Sequence, residues 1–288
     1  SDGDRNTVAR FSPLMASLPL LISLMSATFQ AQANNQLPDI GTAGVAALPI
    51  EQEVRYGNAF MRFARAGLPI IDDPVLSEYI DDLGQRLLTN ADGVRFPFTF
   101  FLINDPSINA AAFLGGRVKV HTGLFLYADN ESELASVLAH EITHVTQRHI
   151  ARYMEAQASS SAMTLAGLVG SIALAVINPT AGIAALQTTL GLSMQSAINY
   201  TRDNEYEADR IGMKTLYDAG FDPMGMASFF QKLAAEYRYA SKPPEMLLTH
   251  PLPETRISEA RARANSYGRR ALPPSLDFWL AKVRIQVR

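Results

Sequence analysis

Three of the chain's five histidines fall in one stretch, LAHEITHVTQRH, from Leu138 to His149. Within it, His140-Glu141-Ile142-Thr143-His144 has the spacing HExxH. On a helix, positions four apart lie on one face about one turn apart. Two imidazoles placed so can grip one Zn²⁺ from the same side, and Glu141 sits where its carboxylate reaches a zinc-bound water. The chemistry this predicts is metal-assisted hydrolysis. The metal acidifies the water and polarises a carbonyl, and Glu141 takes the proton and passes it to the leaving amine.

A catalytic zinc takes three protein ligands and keeps one position open. The segment NEYEADRIG offers the third. Glu205 and Asp209 are four apart and share a helix face, while Glu207 points away from both. Glu205 is expected as the ligand, with Glu207 next in line. Asp209 is expected behind it, accepting a hydrogen bond from a ligand imidazole and fixing its orientation. Continued as one helix, the stretch carries His149 about 140° round from His144 and about 180° from His140. His149 is therefore expected to cap or lie on the surface, and His121, on a predicted strand, is expected not to be a ligand. His250 lies between prolines in THPLPETR. A lone loop histidine is ordinarily exposed, although Pro251 and Pro253 would stiffen a ring that had to be held in place.

The elements that must position these residues are mostly helices. Glu51–Gly67 and Pro74–Asn90 have helical spacing, the second opened by proline. Phe96–Asn104 alternates and reads as a strand, and Ala111–Phe125 suggests a strand pair turned at Gly115-Gly116. Asn130 caps a helix that starts near Glu131 and runs through the HExxH motif. Ala162–Met194 is strongly apolar and broken at Asn178-Pro179. Each half is shorter than a membrane span, so two packed or surface-docked helices are expected, as core and a partial lid. A peripheral membrane contact is a further use that its composition allows. A long helix follows, from Ile198 to a cap at Gly220. After it come a helix over 223–240, a proline-rich loop over Ser241–Arg256 and a helix from Ile257 to Ser266. The last segment, SLDFWLAKVRIQVR, reads as one amphipathic helix with no later element to pack on. The strand AAFLGGRVKVHTG fits a core strand, or an edge that aligns an extended substrate.

The chain has 288 residues and is 48% hydrophobic, enough for one large domain or two small ones. A net charge of −3 argues against a nucleic-acid partner. With no cysteine, the metal ligands must be His, Glu or Asp. Arg5 and Arg10 precede the apolar run Pro13–Met25, and Ala31-Gln32-Ala33 has the small-x-small form of a cleavage site. Residues 1–33 are expected to be a secretory signal cleaved after Ala33, although Asp2 and Asp4 dilute its positive end.

HEITHVTQRH, NEYEADRIG about sixty residues on, and LLTHPLPETR together resemble the HtpX-like and CAAX-processing gluzincin metallopeptidases. The resemblance is closest to a secreted bacterial branch of β-barrel-assembly-enhancing proteases, and FFLIND, GGRVKVHTGLF, DNESELASVLAHE and YASKPPEMLLTHPLPETR extend it. It implies an α+β, mainly α zincin fold with a small sheet and an HExxH active-site helix. It implies one Zn²⁺ per chain on His140, His144 and Glu205, with Glu141 as acid/base and Asp209 in support. It also implies a periplasmic enzyme that degrades misfolded or stalled outer-membrane β-barrel proteins and works with their assembly machinery; a monomer is expected. That gives a domain over 34–270, with 271–288 as linker and start of a tetratricopeptide-like array.

The resemblance further implies that His250 reaches the metal. Two roles then stay open: a fourth ligand that displaces the water and keeps the enzyme latent, or a donor to the developing oxyanion. A competing class is a chaperone-like client-binding module with a latched or structural zinc site. An intact Glu141 argues against it, since a structural site needs no base.

Overall fold

The computed structural model describes residues 48–156, 162–190 and 194–288; the expected leader, 1–33, lies outside them. Two helices lead in, α1 (Ile50–Gly67) and α2 (Pro74–Thr89). Pro74 opens α2, and the Asp73 side chain caps it by accepting from the backbone N–H groups of Val75 and Leu76. Three strands follow, β1 (Thr99–Ile103), β2 (Ala110–Phe113) and β3 (Arg117–His121). The strand pair is β2–β3, antiparallel and turned through Gly115 and Gly116, whose φ angles of 75° and 69° suit glycine. β1 pairs with β3 in parallel, so the sheet order is β1-β3-β2 and β2 is an edge.

The sheet separates two apolar clusters. Phe100, Leu102, Val118 and Val120 join the larger, with α2 and the HExxH helix. Phe101, Ile103 and Phe113 join the smaller, with α1. This is the alternation that a two-sided sheet requires. A short helix, α3 (Thr122–Tyr127), leads to α4 (Glu131–Thr146), which carries HExxH. The Asn130 side chain caps α4 by accepting from the Glu133 N–H. Nearly every residue of α4 is buried, so its polar side chains must find partners inside the protein.

α4 stops at Thr146, short of His149, because Arg148 takes φ 54° in the left-handed region and the chain restarts as α5 (His149–Ala156). The apolar stretch forms α6 (Ala162–Ile177) and α7 (Pro179–Leu190), split at Asn178 as expected. Leu168, Val169, Ala173 and Val176 of α6 fill the smaller cluster. Among the described residues no helix is long and apolar enough to cross a membrane.

The long helix α8 spans Met194–Asp218, and Gly220 (φ 91°) makes the turn after it. α9 (Met224–Tyr239) follows. The proline-rich loop holds a single helical turn, α10 (Met246–Thr249), and α11 begins at Glu254, earlier than expected, and ends at Tyr267. Pro253 precedes α11 in an extended conformation, which sets the start there. The last helix, α12 (Leu276–Gln286), does have a surface to pack on: Phe278, Ala281 and Ile285 enter the larger cluster. Arg284 and Arg288 reach back to Asp73 at the start of α2.

One contact sets the spacing of the site. Gly212 lies where α8 crosses α4, and a Cβ there would stand 3.2 Å from the Ala139 carbonyl oxygen and 3.3 Å from His140 Cα. Gly212→Val is therefore expected to cost roughly 1–3 kcal/mol by overpacking. It should also part Glu205 from His140. A lower denaturant midpoint together with weaker metal binding is the expected reading. An unchanged midpoint would mean that the two backbones have room to spare.

Candidate metal centre

α4 brings His140 Nε2 and His144 Nε2 to 3.0 Å of one another. α8 supplies Glu205 from the facing side, its Oε2 3.1 Å from His140 Nε2 and its Oε1 3.2 Å from His144 Nε2. The proline-bracketed loop adds His250, with Nδ1 3.1 Å from Glu205 Oε1 and 3.3 Å from His140 Nε2. One ligand atom from each of these four residues lies within 4.8 Å of the others. His250 is buried, not exposed as a lone loop histidine would be. Its loop is held to the connection between β1 and β2 by the Met246 N–H donating to the Ile108 carbonyl, and by Ser107 Oγ and Asn109 Nδ2 donating to Glu245.

The residues around this set orient it. His140 Nδ1–H donates to Asp209 Oδ1 at 3.0 Å. Arg256 clamps Asp209 from behind, Nε to Oδ2 at 2.7 Å and Nη2 to Oδ1 at 2.8 Å. The same guanidinium lies 3.0 Å from Glu205 Oε2 and donates to the Pro251 carbonyl beside His250. Glu141 Oε2 accepts from the Ala112 N–H of the edge strand at 3.0 Å. Its Oε1 is buried, has no hydrogen-bond partner, and lies 3.3 Å from His250 Nε2.

Burial and charge set the protonation states. Burial pushes His144 down to about 3, so it is neutral near pH 7. At His140 burial also opposes the charge, but Glu205 and Asp209 outweigh it and raise the ring to about 10, so a metal ion bound there would displace its proton. Burial works against ionised Glu205 too. His250, Arg256, His140 and His144 overcome it and hold the carboxyl well below the ordinary range. Burial pushes the Glu141 carboxyl above its ordinary value.

The donor set fits a metal ion. Two imidazoles and an ionised carboxylate converge in a buried space, and Glu141 Oε1, which makes no hydrogen bond, lies beside His250 of the same set. Nitrogen and oxygen donors of this kind suit zinc. A profile of peptidase family M48 matches residues 74–264. The chain belongs to peptidase family M48. The beta-barrel assembly-enhancing protease of Yersinia pestis is 52% identical over 276 residues, covering 94% of this chain and 57% of that protein. The protein of the same name from Escherichia coli K12 is 52% identical over 254 residues, covering 88% and 52%. Metalloprotease LoiP of E. coli K12 is 28% identical over 208 residues, covering 68% and 74%. The chain thus spans little more than half the length of the first two.

For a family M48 chain the fold is as expected, mostly helical with a small three-stranded sheet and the HExxH helix beneath its edge strand. Every residue expected at the site, His140, Glu141, His144, Glu205, Asp209 and His250, is gathered in it. His149 corrects the expectation. It is neither a surface residue nor a cap: the turn at Arg148 folds it back, buried, until its Nδ1 lies 2.7 Å from His144 Nδ1. Arg256 went unread, although an excess of buried carboxylates on NEYEADR beside HExxH calls for a cation. His121 stays off the site, beside Lys119 and Ser107.

Proposed function

We propose that this chain is a zinc endopeptidase of the bacterial envelope, acting in the periplasm on misfolded or stalled outer-membrane β-barrel proteins and held latent by His250. The observation that carries the peptidase reading is the convergence of His140, His144 and Glu205 with Glu141, whose carboxylate is bound by the edge strand. The name shared by the Yersinia pestis and E. coli K12 relatives, each matching most of this chain, supports the substrate class and the link to assembly machinery. The leader expected at residues 1–33 supports the location.

His140, His144 and Glu205 would hold one zinc ion, which supplies an electrophile for the scissile carbonyl and acidifies the attacking water. Glu141 removes the water's proton and delivers it to the departing amine. The Ala112 N–H fixes the Glu141 carboxylate and leaves Oε1 on the side of the ligand set, 3.3 Å from His250 Nε2. The open side of β2 can pair an extended peptide by main-chain hydrogen bonds. Asp209 and Arg256 keep the His140 ring from turning.

His250 stands against Glu205 on one side and Glu141 on the other, where the base needs its water. Four protein donors make a closed set. A latch closed in nine molecules of ten hides about tenfold of activity, so His250→Ala is expected to raise casein turnover by about that factor at equal zinc content. Turnover lowered at unchanged zinc would make His250 an oxyanion donor instead. Zinc bound but no cleavage by the wild type or this variant would favour the client-binding module.

A further inference from the structure

The turn after α4 brings a second carboxylate to bear on the site. The ring of His149 meets that of His144 edge-on, with centroids 4.8 Å apart and planes at 77°. Beyond it, His149 Nε2 lies 3.0 Å from Glu207 Oε2, and the same oxygen takes a bond from Arg152 Nη1 at 2.7 Å. A carboxylate only accepts, so His149 Nε2 carries hydrogen. A neutral imidazole then has its lone pair at Nδ1, and the 2.7 Å contact requires His144 Nδ1 to donate into it. That leaves the lone pair of His144 on Nε2, facing His140 and Glu205 at the centre of the ligand set.

From this chain of contacts we infer that His149, anchored by Glu207, is a positioning residue of the metal centre, holding His144 in the Nδ1–H tautomer with Nε2 free to bind metal. The inference rests on the reading that His140, His144 and Glu205 hold the ion. It gives the two histidines parallel supports. His140 donates directly to Asp209, which Arg256 fixes. His144 donates through His149 to Glu207, which Arg152 fixes. The extra imidazole has a geometric reason. Residues two apart on a helix point about 200° from one another, so Glu207 cannot turn toward the ligands as Glu205 does. The ring of His149 spans the gap. One helix therefore serves the centre three times, with Glu205 inside, Asp209 behind one imidazole and Glu207 behind the other.

The alternative role for a buried ring is packing, and two variants divide the readings. His149→Phe keeps a ring and removes the acceptor. His149→Asn gives up the ring but keeps an oxygen near the place of Nδ1. Metal-free full-length protein is titrated with Zn²⁺ against a chromophoric chelator, and Co²⁺ is bound in parallel for its visible spectrum. Outer partners of this kind are worth about 10–100-fold in metal affinity. His149→Phe is expected to lose that much and to change the cobalt spectrum. His149→Asn is expected to recover most of the affinity, and the metal-free forms should melt alike. Glu207→Leu, which leaves His149 in place, is expected to weaken zinc by about tenfold. Wild-type affinity and spectrum in His149→Phe or in Glu207→Leu would overturn the inference. So would a loss in His149→Asn as large as that in His149→Phe. Wild-type protein that takes up no zinc would instead overturn the metal-site reading on which it rests.

Discussion

Glu141→Gln is expected to lower casein hydrolysis by about 10²–10⁴-fold, the range that a positioned acid/base contributes, with metal content and melting temperature unchanged. The reason lies in how the carboxylate is held. Its Oε2 accepts the Ala112 N–H, and the Gln amide oxygen can accept the same bond in the same rotamer. What is lost is confined to Oε1, the atom without a hydrogen-bond partner, which becomes an amide nitrogen unable to take a proton. The variant therefore separates base catalysis from metal binding. The comparison belongs in both the wild type and the His250→Ala background, where the proposed latch no longer masks the rate. Turnover within about threefold of the parent in both backgrounds would remove Glu141 from the mechanism. A variant that had also lost its metal would show that Glu141 does structural work at the ligand set.

Why Glu141 and its neighbours could be read from sequence, and others could not, follows from the distance over which chain geometry propagates. Within one helix, a 3.6-residue period places side chains without further information. His140 and His144 on α4, and Glu205 and Asp209 on α8, needed only that period plus the coordination demand of the metal. His149 lies only five residues beyond His144, yet the same period misplaced it. The helix ends at Thr146 through a left-handed Arg148, with neither glycine nor proline to announce the break. The Arg148 side chain reaches the Leu48 carbonyl and Glu53, so a contact some hundred residues away in sequence accompanies the local turn. The β2–β3 hairpin was legible from Gly115-Gly116. The parallel pairing of β1 with β3 was not, because no turn links those two strands. α12 was read as a helix, but its docking on the larger cluster brings Arg284 to Asp73, some two hundred residues earlier, a distance over which helix periodicity carries no information. His250 came from the resemblance alone; loop physics pointed to solvent.

The largest effect on stability is expected at Arg256, a residue with no part in the chemistry. It is fully buried, and it neutralises Asp209 through two hydrogen bonds while lying 3.0 Å from Glu205. Removing one partner of such a set leaves the others buried without compensation, a loss of about 3–5 kcal/mol. Arg256→Leu is expected to fall in that range in denaturant unfolding of the metal-free protein. Arg256→Lys keeps the charge but not the fork, and one ammonium cannot serve Asp209, Glu205 and the Pro251 carbonyl in the same geometry. It is expected to lie between Arg256→Leu and the wild type. Asp209→Asn should soften the effect, because the neutral amide no longer needs a cation. The double variant is then less destabilised than the two single losses combined, by about 0.5–3 kcal/mol of coupling. A loss below about 1 kcal/mol for Arg256→Leu would mean that water reaches the carboxylates once the guanidinium is gone. Zinc bound to the wild type should add to the difference. Arg256 also touches the carbonyl beside His250 and the carboxylate of Glu205, so the residue that stabilises the fold is also the one that aligns two members of the ligand set.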